Sequence, residues 1–287
     1  MVYGYAGKIL RIDLTDGAMT TEEPPPGFYR RYIGGNGFVA YYLLNLVPPG
    51  ADPLGPENIL VFAGGATTGV PVAGGGRSAM GAKSPLTGGY GEADVGGFFG
   101  AELQLAGYDA LIVQGRAPRP VYLWVRDGEV EVRPAEHLWG AQVLEAHEAI
   151  RAELGQRRAK IALIGPAGER QIPLAAVIHD ATRAAGRTGL GAVMGSKNLK
   201  AVAALGSLKV PIAEPEALKA LSLWMRDNWK NTSADMRDTG TTGGIPHLNA
   251  LGALPTRNFQ DGQFEQAKAI SGQTMRDTIL TDRASCF

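Results

Sequence analysis

Three arginines sit where a guanidinium fork could grip an anion at close range. Arg77 follows Gly74-Gly75-Gly76, and Arg183 and Arg187 enclose Ala184-Ala185-Gly186. Arginine pairs well with phosphate or with the polar edge of a planar heterocycle. Glycine lets main-chain N–H and C=O groups approach such a ligand with no Cβ in the way. Asp94 and Lys83 lie in the same glycine-rich string as Arg77. The competing reading is plain: surface ion pairs for the arginines, tight turns for the glycines.

Glycine makes up 40 of 287 residues, about twice the usual share of roughly 7%. The excess is clustered, with 13 of the 37 positions from Gly64 to Gly100. A thinner cluster is Gly186, Gly189, Gly191 and Gly195. The last three form G-x-G-x-x-x-G, which superficially suggests a dinucleotide loop. A poor strand precedes it, and no convincing acid follows about 20 positions on, as a true dinucleotide turn requires. Nicotinamide binding is therefore not expected. There is no P-loop, no G-x-S-x-G and no H-E-x-x-H. His137, His147, His179 and His247 are scattered and read as structural or helix-face residues. Glu102 and Asp109 flank an apolar stretch without forming a carboxylate pair.

The elements that must carry these residues mix hairpins with helices. Residues 7–14 read as a strand, with Asp16-Gly17 turning into a partner near 18–22. Residues 37–47 read as a helix stopped by Pro48-Pro49, and 59–63 as a buried strand. A helix over 98–106 precedes a strand at 110–115, and 121–133 alternates around Asp127-Gly128 as a hairpin. Val143, Ala146, Ile150 and Leu154 have the spacing of an amphipathic helix. Residues 160–165, 172–178 and 200–205 are candidate strands, and 214–229 reads as a long helix opened by Pro215. With no regular strand–helix alternation, the fold class is α+β. The expected domains are 1–208 and a mainly helical 209–287.

Composition bounds the function. Lys+Arg and Asp+Glu are both 28, which argues against a nucleic-acid binder or a polybasic membrane-surface protein. No apolar run approaches the roughly 18 residues of a membrane-spanning helix, and the N-terminus does not read as a signal peptide. One cysteine excludes a disulfide framework and suits the cytoplasm.

The strings GGGRSAMGAKSPLTGGYGEADVGGFFGAELQLAGYDALIVQG (74–115) and RAAGRTGLGAVMGSKNLKAVA (183–203) resemble the tungsten-dependent aldehyde:ferredoxin oxidoreductases. GKILRIDLTDG near the N-terminus and IGPAGE (164–169) are similar to the same family. The resemblance implies a two-sheet N-terminal domain that seats a bis-pterin holding tungsten, or in relatives molybdenum. It implies oxidation of an aldehyde to a carboxylic acid with water as oxygen source, and electron transfer through a [4Fe–4S] cluster to ferredoxin. Arg77 matches a family arginine at the pterin phosphates. Asp94 and Gly96 match a loop that touches the cofactor, where the family usually has asparagine in place of Asp94. Either the main-chain carbonyl makes that contact, to the Mg²⁺ that ties the phosphates, or the side chain does. Arg183, Ala184, Gly186 and Arg187 match the second pterin string, with the Ala184 carbonyl directed at Mg²⁺.

Cys286 resembles the first cysteine of the family's C-x-x-C-x-x-x-C cluster run. On this reading the chain carries about half of the cofactor cradle and one of four cluster ligands, and it is expected to be an inactive N-terminal fragment. No catalytic acid or base is identified, because the resemblance places those in later helical domains. Two alternatives stay open: one subunit of a split enzyme, and a non-enzymatic pterin- or nucleotide-binding module. The identity of the aldehyde, the choice of metal and the oligomeric state, a homodimer included, are left open by the sequence.

Overall fold

The hairpin predicted at the N-terminus forms as β1 (Ile9–Asp13) and β2 (Met19–Glu22). Gly17 supplies the positive φ of its turn, and the Asp16 carboxylate accepts the Ala18 N–H at 2.9 Å. The computed structural model describes residues 2–283, so Cys286 lies outside the described residues. Helix α1 (Pro26–Tyr32) starts on the last proline of the Pro24-Pro25-Pro26 run, and α2 (Asn36–Leu46) follows it. Then come β3 (Leu60–Ala63), β4 (Ser78–Lys83), β5 (Tyr90–Val95), α3 (Phe99–Leu105) and β6 (Ala110–Gln114).

These six strands form one mixed sheet in the order β2-β1-β6-β3-β4-β5, with β1 and β6 parallel. A second mixed sheet follows. Strands β7 (Val121–Arg126) and β8 (Glu129–Pro134) pair about Asp127-Gly128, both at positive φ as that dipeptide predicts. Next are α4 (Val143–Leu154), β9 (Lys160–Leu163), α5 (Pro166–Glu169), β10 (Val177–His179), β11 (Arg183–Ala185), α6 (Leu190–Ser196) and β12 (Leu199–Leu205). The second sheet runs β11-β10-β9-β12-β7-β8.

Period-two alternation sorts each strand between two faces. Leu10, Ile12, Phe62, Met80 and Val95 of the first sheet share a core with Leu123, Val125, Ala162, Val177 and Val202 of the second. Phe99 and Leu103 of α3 and Leu190, Val193 and Met194 of α6 belong to that same core. The outer face of the first sheet (Ile9, Val61, Ala79, Ile112) packs under α1 and α2. The outer face of the second (Tyr122, Trp124, Ile161, Ala203) packs under α4.

The 189–195 glycines serve this packing. Helix α6 is buried along its whole length. A Cβ at Gly195 would stand 1.9 Å from the Gly168 carbonyl oxygen, and one at Gly191 2.6 Å from that of Ala176. The spacing that suggests a nucleotide loop is a helix–backbone contact. The candidate strand at 172–178 is corrected to Val177–His179, because Ile172, Pro173 and Leu174 are exposed in the turn that leaves α5. Helix α1 and strands β4, β5 and β11 escape the sequence reading.

A separate compact unit begins at Glu216. It contains most of α7 (Pro215–Thr232), then α8 (Ala234–Thr239), α9 (Ile245–Ala250) and α10 (Gly272–Thr278). It is mainly helical, as expected.

Two outcomes test this packing. Gly195→Ala forces main chain apart, and is expected to cost about 3 kcal/mol or to prevent folding, read as a fall in the urea midpoint. His179 is buried against Met80 and Phe99, and burial pushes its imidazole down to about 3. The unfolded chain therefore takes up a proton near pH 6.5 that the folded one refuses. Stability present above pH 6.5 is lost as pH falls toward 3, by about 1.4 kcal/mol per unit. His179→Asn should flatten that slope in denaturant titrations run from pH 7 to 4.

Candidate functional site

Strand β5 is one edge of the first sheet and β11 one edge of the second. The two edges lie against each other. An edge strand keeps half of its main-chain polar groups outside its own ladder, so two facing edges concentrate N–H and C=O groups. The Thr188 hydroxyl donates to the Glu92 carbonyl at 3.3 Å, and the Ser84 hydroxyl to the Thr188 carbonyl at 2.8 Å. At the other end, a Cβ at Gly97 would meet Arg183 Cγ at 3.4 Å and Asp180 Oδ2 at 3.2 Å. The string 183–188 therefore runs along the β5 edge from Gly97 back to Glu92.

Arg77 enters from the other side of β5. Ser78 pairs with Val95, so Arg77 stands across from Gly96. Its carbonyl accepts the Thr68 hydroxyl at 2.7 Å, and that hydroxyl accepts the Gly65 N–H at 2.8 Å. Gly75 is needed where it is, since a Cβ there would meet the Thr67 carbonyl at 2.6 Å. The two arginine strings thus meet at Gly96–Gly97, with Arg77 on one side and Arg183 on the other.

Charge at this place is poorly compensated. Arg77 and Arg187 are exposed, and among the described residues no carboxylate pairs with either. The Arg183 guanidinium donates to the Thr182 carbonyl at 3.2 Å. Asp94 is exposed on the face of β5 away from the core, 3.4 Å from the Asn36 amide nitrogen. The Glu92 carbonyl faces Thr188, and carbonyls two apart in a strand point the same way. The Asp94 carbonyl is therefore turned toward the Arg183–Arg187 string, while its side chain is turned to α2.

A Cβ at Gly186 would meet only the Ala184 Cβ, at an ordinary 3.8 Å, and the residue has no positive φ. Neither packing nor backbone conformation within the chain requires a glycine there, which suits close approach by an outside group. Ala184 is exposed on β11, while Ala185 beside it is core. Lys83, in the same string as Arg77, is turned away and donates to the Ala51 carbonyl at 2.7 Å. Asp109 and Glu102 are structural: Asp109 accepts four hydrogen bonds, and Glu102 caps the Gly206 N–H at 3.0 Å.

Two residues at this place escape the sequence reading. Asn36 begins α2 after Ile33, Gly34 and Gly35, all at positive φ, and its Oδ1 is buried without a partner. The G-G-N-G string at 34–37 was the available signal. Asp180 touches both sides, and only the tertiary structure shows it. Among the described residues no three His, Cys, Asp or Glu side chains are placed to hold a metal ion. A cation here would therefore rest on main-chain oxygen or on a bound anion. The chemistry on offer is anion binding by the guanidinium groups of Arg77 and Arg187, which have no carboxylate partner among the described residues, with hard oxygen for a companion cation.

Residues 9–206 match the family model described as the aldehyde ferredoxin oxidoreductase N-terminal domain, and 216–287 match that of domains 2 and 3. The chain is 42% identical over its full length to the tungsten-containing aldehyde ferredoxin oxidoreductases of Pyrococcus abyssi and Thermococcus kodakarensis, covering 48% of each. It is 34% identical to the WOR-like subunit of the Pyrococcus furiosus aliphatic sulfonate oxidoreductase, with 94% of this chain and 45% of that protein covered. Among solved structures, the BamBC active-site complex of benzoyl coenzyme A reductase with 1,5-dienoyl-CoA aligns with a TM-score of 0.85 at 32% identity. That alignment covers 100% of this chain and 46% of the other. The chain spans about half the length of the curated relatives it matches. No helix among the described residues is long and apolar enough to cross a membrane.

The lack of crowding at Gly186 gives a direct test. Gly186→Val is expected to leave thermal unfolding within about 0.5 kcal/mol of wild type, as for a surface change. It should weaken binding of inorganic pyrophosphate in calorimetric titration, because the added methyls occupy the approach. Unchanged binding would show that nothing comes close at Gly186.

Proposed function

The chain belongs to the aldehyde ferredoxin oxidoreductase family, and on that footing we propose that it seats the phosphate tails of a tungsten (or molybdenum) bis-pterin in an aldehyde-oxidising enzyme. One observation carries the reading: two arginine strings from different sheets meet along facing strand edges, with Arg77 and Arg187 lacking carboxylate partners among the described residues. Arg77, Arg183 and Arg187 would take the phosphate oxygens. The main-chain carbonyls of Asp94 and Ala184 would take the Mg²⁺ between the phosphates. Gly96 and Gly186 would let the cofactor approach the main chain. When bound, the metallopterin supplies the two-electron chemistry by which an aldehyde and water become a carboxylic acid, two protons and two electrons.

The residues of this chain bind and orient. They neutralise phosphate charge, turn main-chain oxygen toward the cation, and hold both strings on stiff strands. The electrons are proposed to leave through a [4Fe–4S] cluster to ferredoxin, with Cys286, outside the described residues, as one cluster ligand. Aldehyde oxidation is proposed to need residues beyond the half-length match, so this chain by itself is expected to be inactive and located in the cytoplasm.

The chain produced in a host supplied with tungstate gives the test. Bound pterin, released by acid and read by fluorescence, is expected for wild type and for Asp94→Asn, whose main-chain carbonyl is unchanged. Arg77→Ala and Arg187→Ala are expected to retain at least about tenfold less, in line with losing one charge-assisted phosphate contact, while unfolding like wild type. Pterin-free wild type, or arginine variants that keep full occupancy, would sink the reading. Aldehyde-dependent dye reduction by the wild-type chain alone would overturn the expectation that it is inactive.

A further inference from the structure

We propose that Asp180 is the positioning residue that holds the Arg77–Gly96 string and the Arg183–Arg187 string at a fixed separation, an inference that rests on reading their meeting place as a phosphate cradle. Asp180 occupies the turn between β10 and β11, three residues before Arg183. Its carboxylate works in two directions. Oδ1 accepts the Ile161 N–H of β9 at 3.2 Å, and Oδ2 accepts the Phe98 N–H at 3.0 Å, just beyond the Gly96–Gly97 loop. Its own N–H donates to the Ile161 carbonyl at 2.8 Å. One residue, clamped to the second sheet by a side-chain and a main-chain bond to Ile161, thus reaches across to the segment that follows β5.

Four further features fit a clamp rather than an incidental contact. Asp180 and Ala181 both hold positive φ, +50° and +57°, a conformation that a non-glycine residue rarely adopts unless its surroundings enforce it. Helix α3 has no side-chain cap of its own at Phe98, so the acceptor for that N–H comes from 82 residues away. Gly97, at φ +97°, leaves only the space that Asp180 and Arg183 already fill. Lys160, next to Ile161, places its ammonium 4.8 Å from the centre of the Phe98 ring, a second tie between the same two segments. Asp180 carries no donor or charge that an anionic ligand would seek. Its role is to act on the arginines through the main chain.

The full 287-residue chain titrated calorimetrically with magnesium pyrophosphate tests this in wild type, Asp180→Ala, Asp180→Asn, Arg183→Ala and the Asp180→Ala/Arg183→Ala pair. Asp180→Ala is expected to weaken binding about tenfold, as outer-shell partners of a binding site do. Asp180→Asn, which keeps one acceptor oxygen, should fall between it and wild type. If Asp180 acts by placing Arg183, the double variant should bind well above the roughly hundredfold loss that independent effects would give. Amide exchange at residues 98–102 should quicken in Asp180→Ala while β4 and β9 stay protected, which a general loss of stability would not produce. Wild-type affinity in Asp180→Ala, or losses that multiply, overturns the inference while the cradle stands. Should Asp180→Ala not fold, the same criteria apply to Asp180→Asn alone and paired with Arg183→Ala. A wild-type chain that takes up no pyrophosphate removes the cradle itself, and the inference falls with it.

Discussion

Two sheets that share no paired strand bring the main chain of Gly97 to within van der Waals contact of the Arg183 and Asp180 side chains. A side chain at position 97 would be strained at its positive φ and would crowd the Asp180 carboxylate and the Arg183 side chain. Sheets pack face to face about 10 Å apart, and that spacing is set by what lies between them. Here the filling is α3 and α6, so the meeting of the two edges depends on how closely those helices seat. The glycines of α6 let it press against the backbone at Gly168 and Ala176. Packing near the centre of the domain therefore fixes geometry at its rim.

A second set of polar ties runs from the rim into the interior. Asp109 is buried, and burial pushes its carboxyl above the usual range, against the pull of its hydrogen bonds. It accepts the N–H groups of Ala6 and Gly7, the Tyr29 hydroxyl and the Gln104 amide. Gln104 in turn accepts the Gly69 N–H at 2.6 Å and donates to the Gly65 carbonyl at 3.2 Å. The loop that leads to Arg77 is thus held by α3, the helix that Asp180 reaches at its first turn. On the far side, the Lys200–Glu169 ion pair and the Lys197 ammonium, bonded to the Asn58 and Gly115 carbonyls, satisfy charges that burial would otherwise penalise. Burial still pulls Lys197 down to about 7. These groups join chain segments far apart in sequence, while Arg77 and Arg187 stay exposed.

The long elements were legible because each carries its own signal. Asp127-Gly128 demands positive φ at both positions and gets it. Val143, Ala146 and Ile150 recur at helical spacing and are the residues that α4 turns inward or along its edge. Strands β4 and β5 were hidden for a related reason: Gly81, Gly91 and small Ala79, Ala82 and Ala93 give almost no β-branched or alternating pattern. They are strands because Val39 of α2 and the inner core press on them, and a Cβ at Gly81 would overlap the Val39 side chain at 2.1 Å. Residues 172–174 erred the other way, apolar in type yet exposed in a turn.

What the sequence by itself determined is chemistry: which residues bear positive charge, which main chain is bare enough to be approached, and which family's strings these are. Types and spacings suffice for that, since a guanidinium beside glycine binds anions in any fold that exposes it. What only the tertiary structure decided is convergence. Arg77 and Arg183 are separated by more than a hundred positions, and no local rule ties them. The side chain that does so, Asp180, reads in the sequence as one more acidic turn residue, because the N–H groups it joins belong to strands and helices that become neighbours only when both sheets close on their shared core.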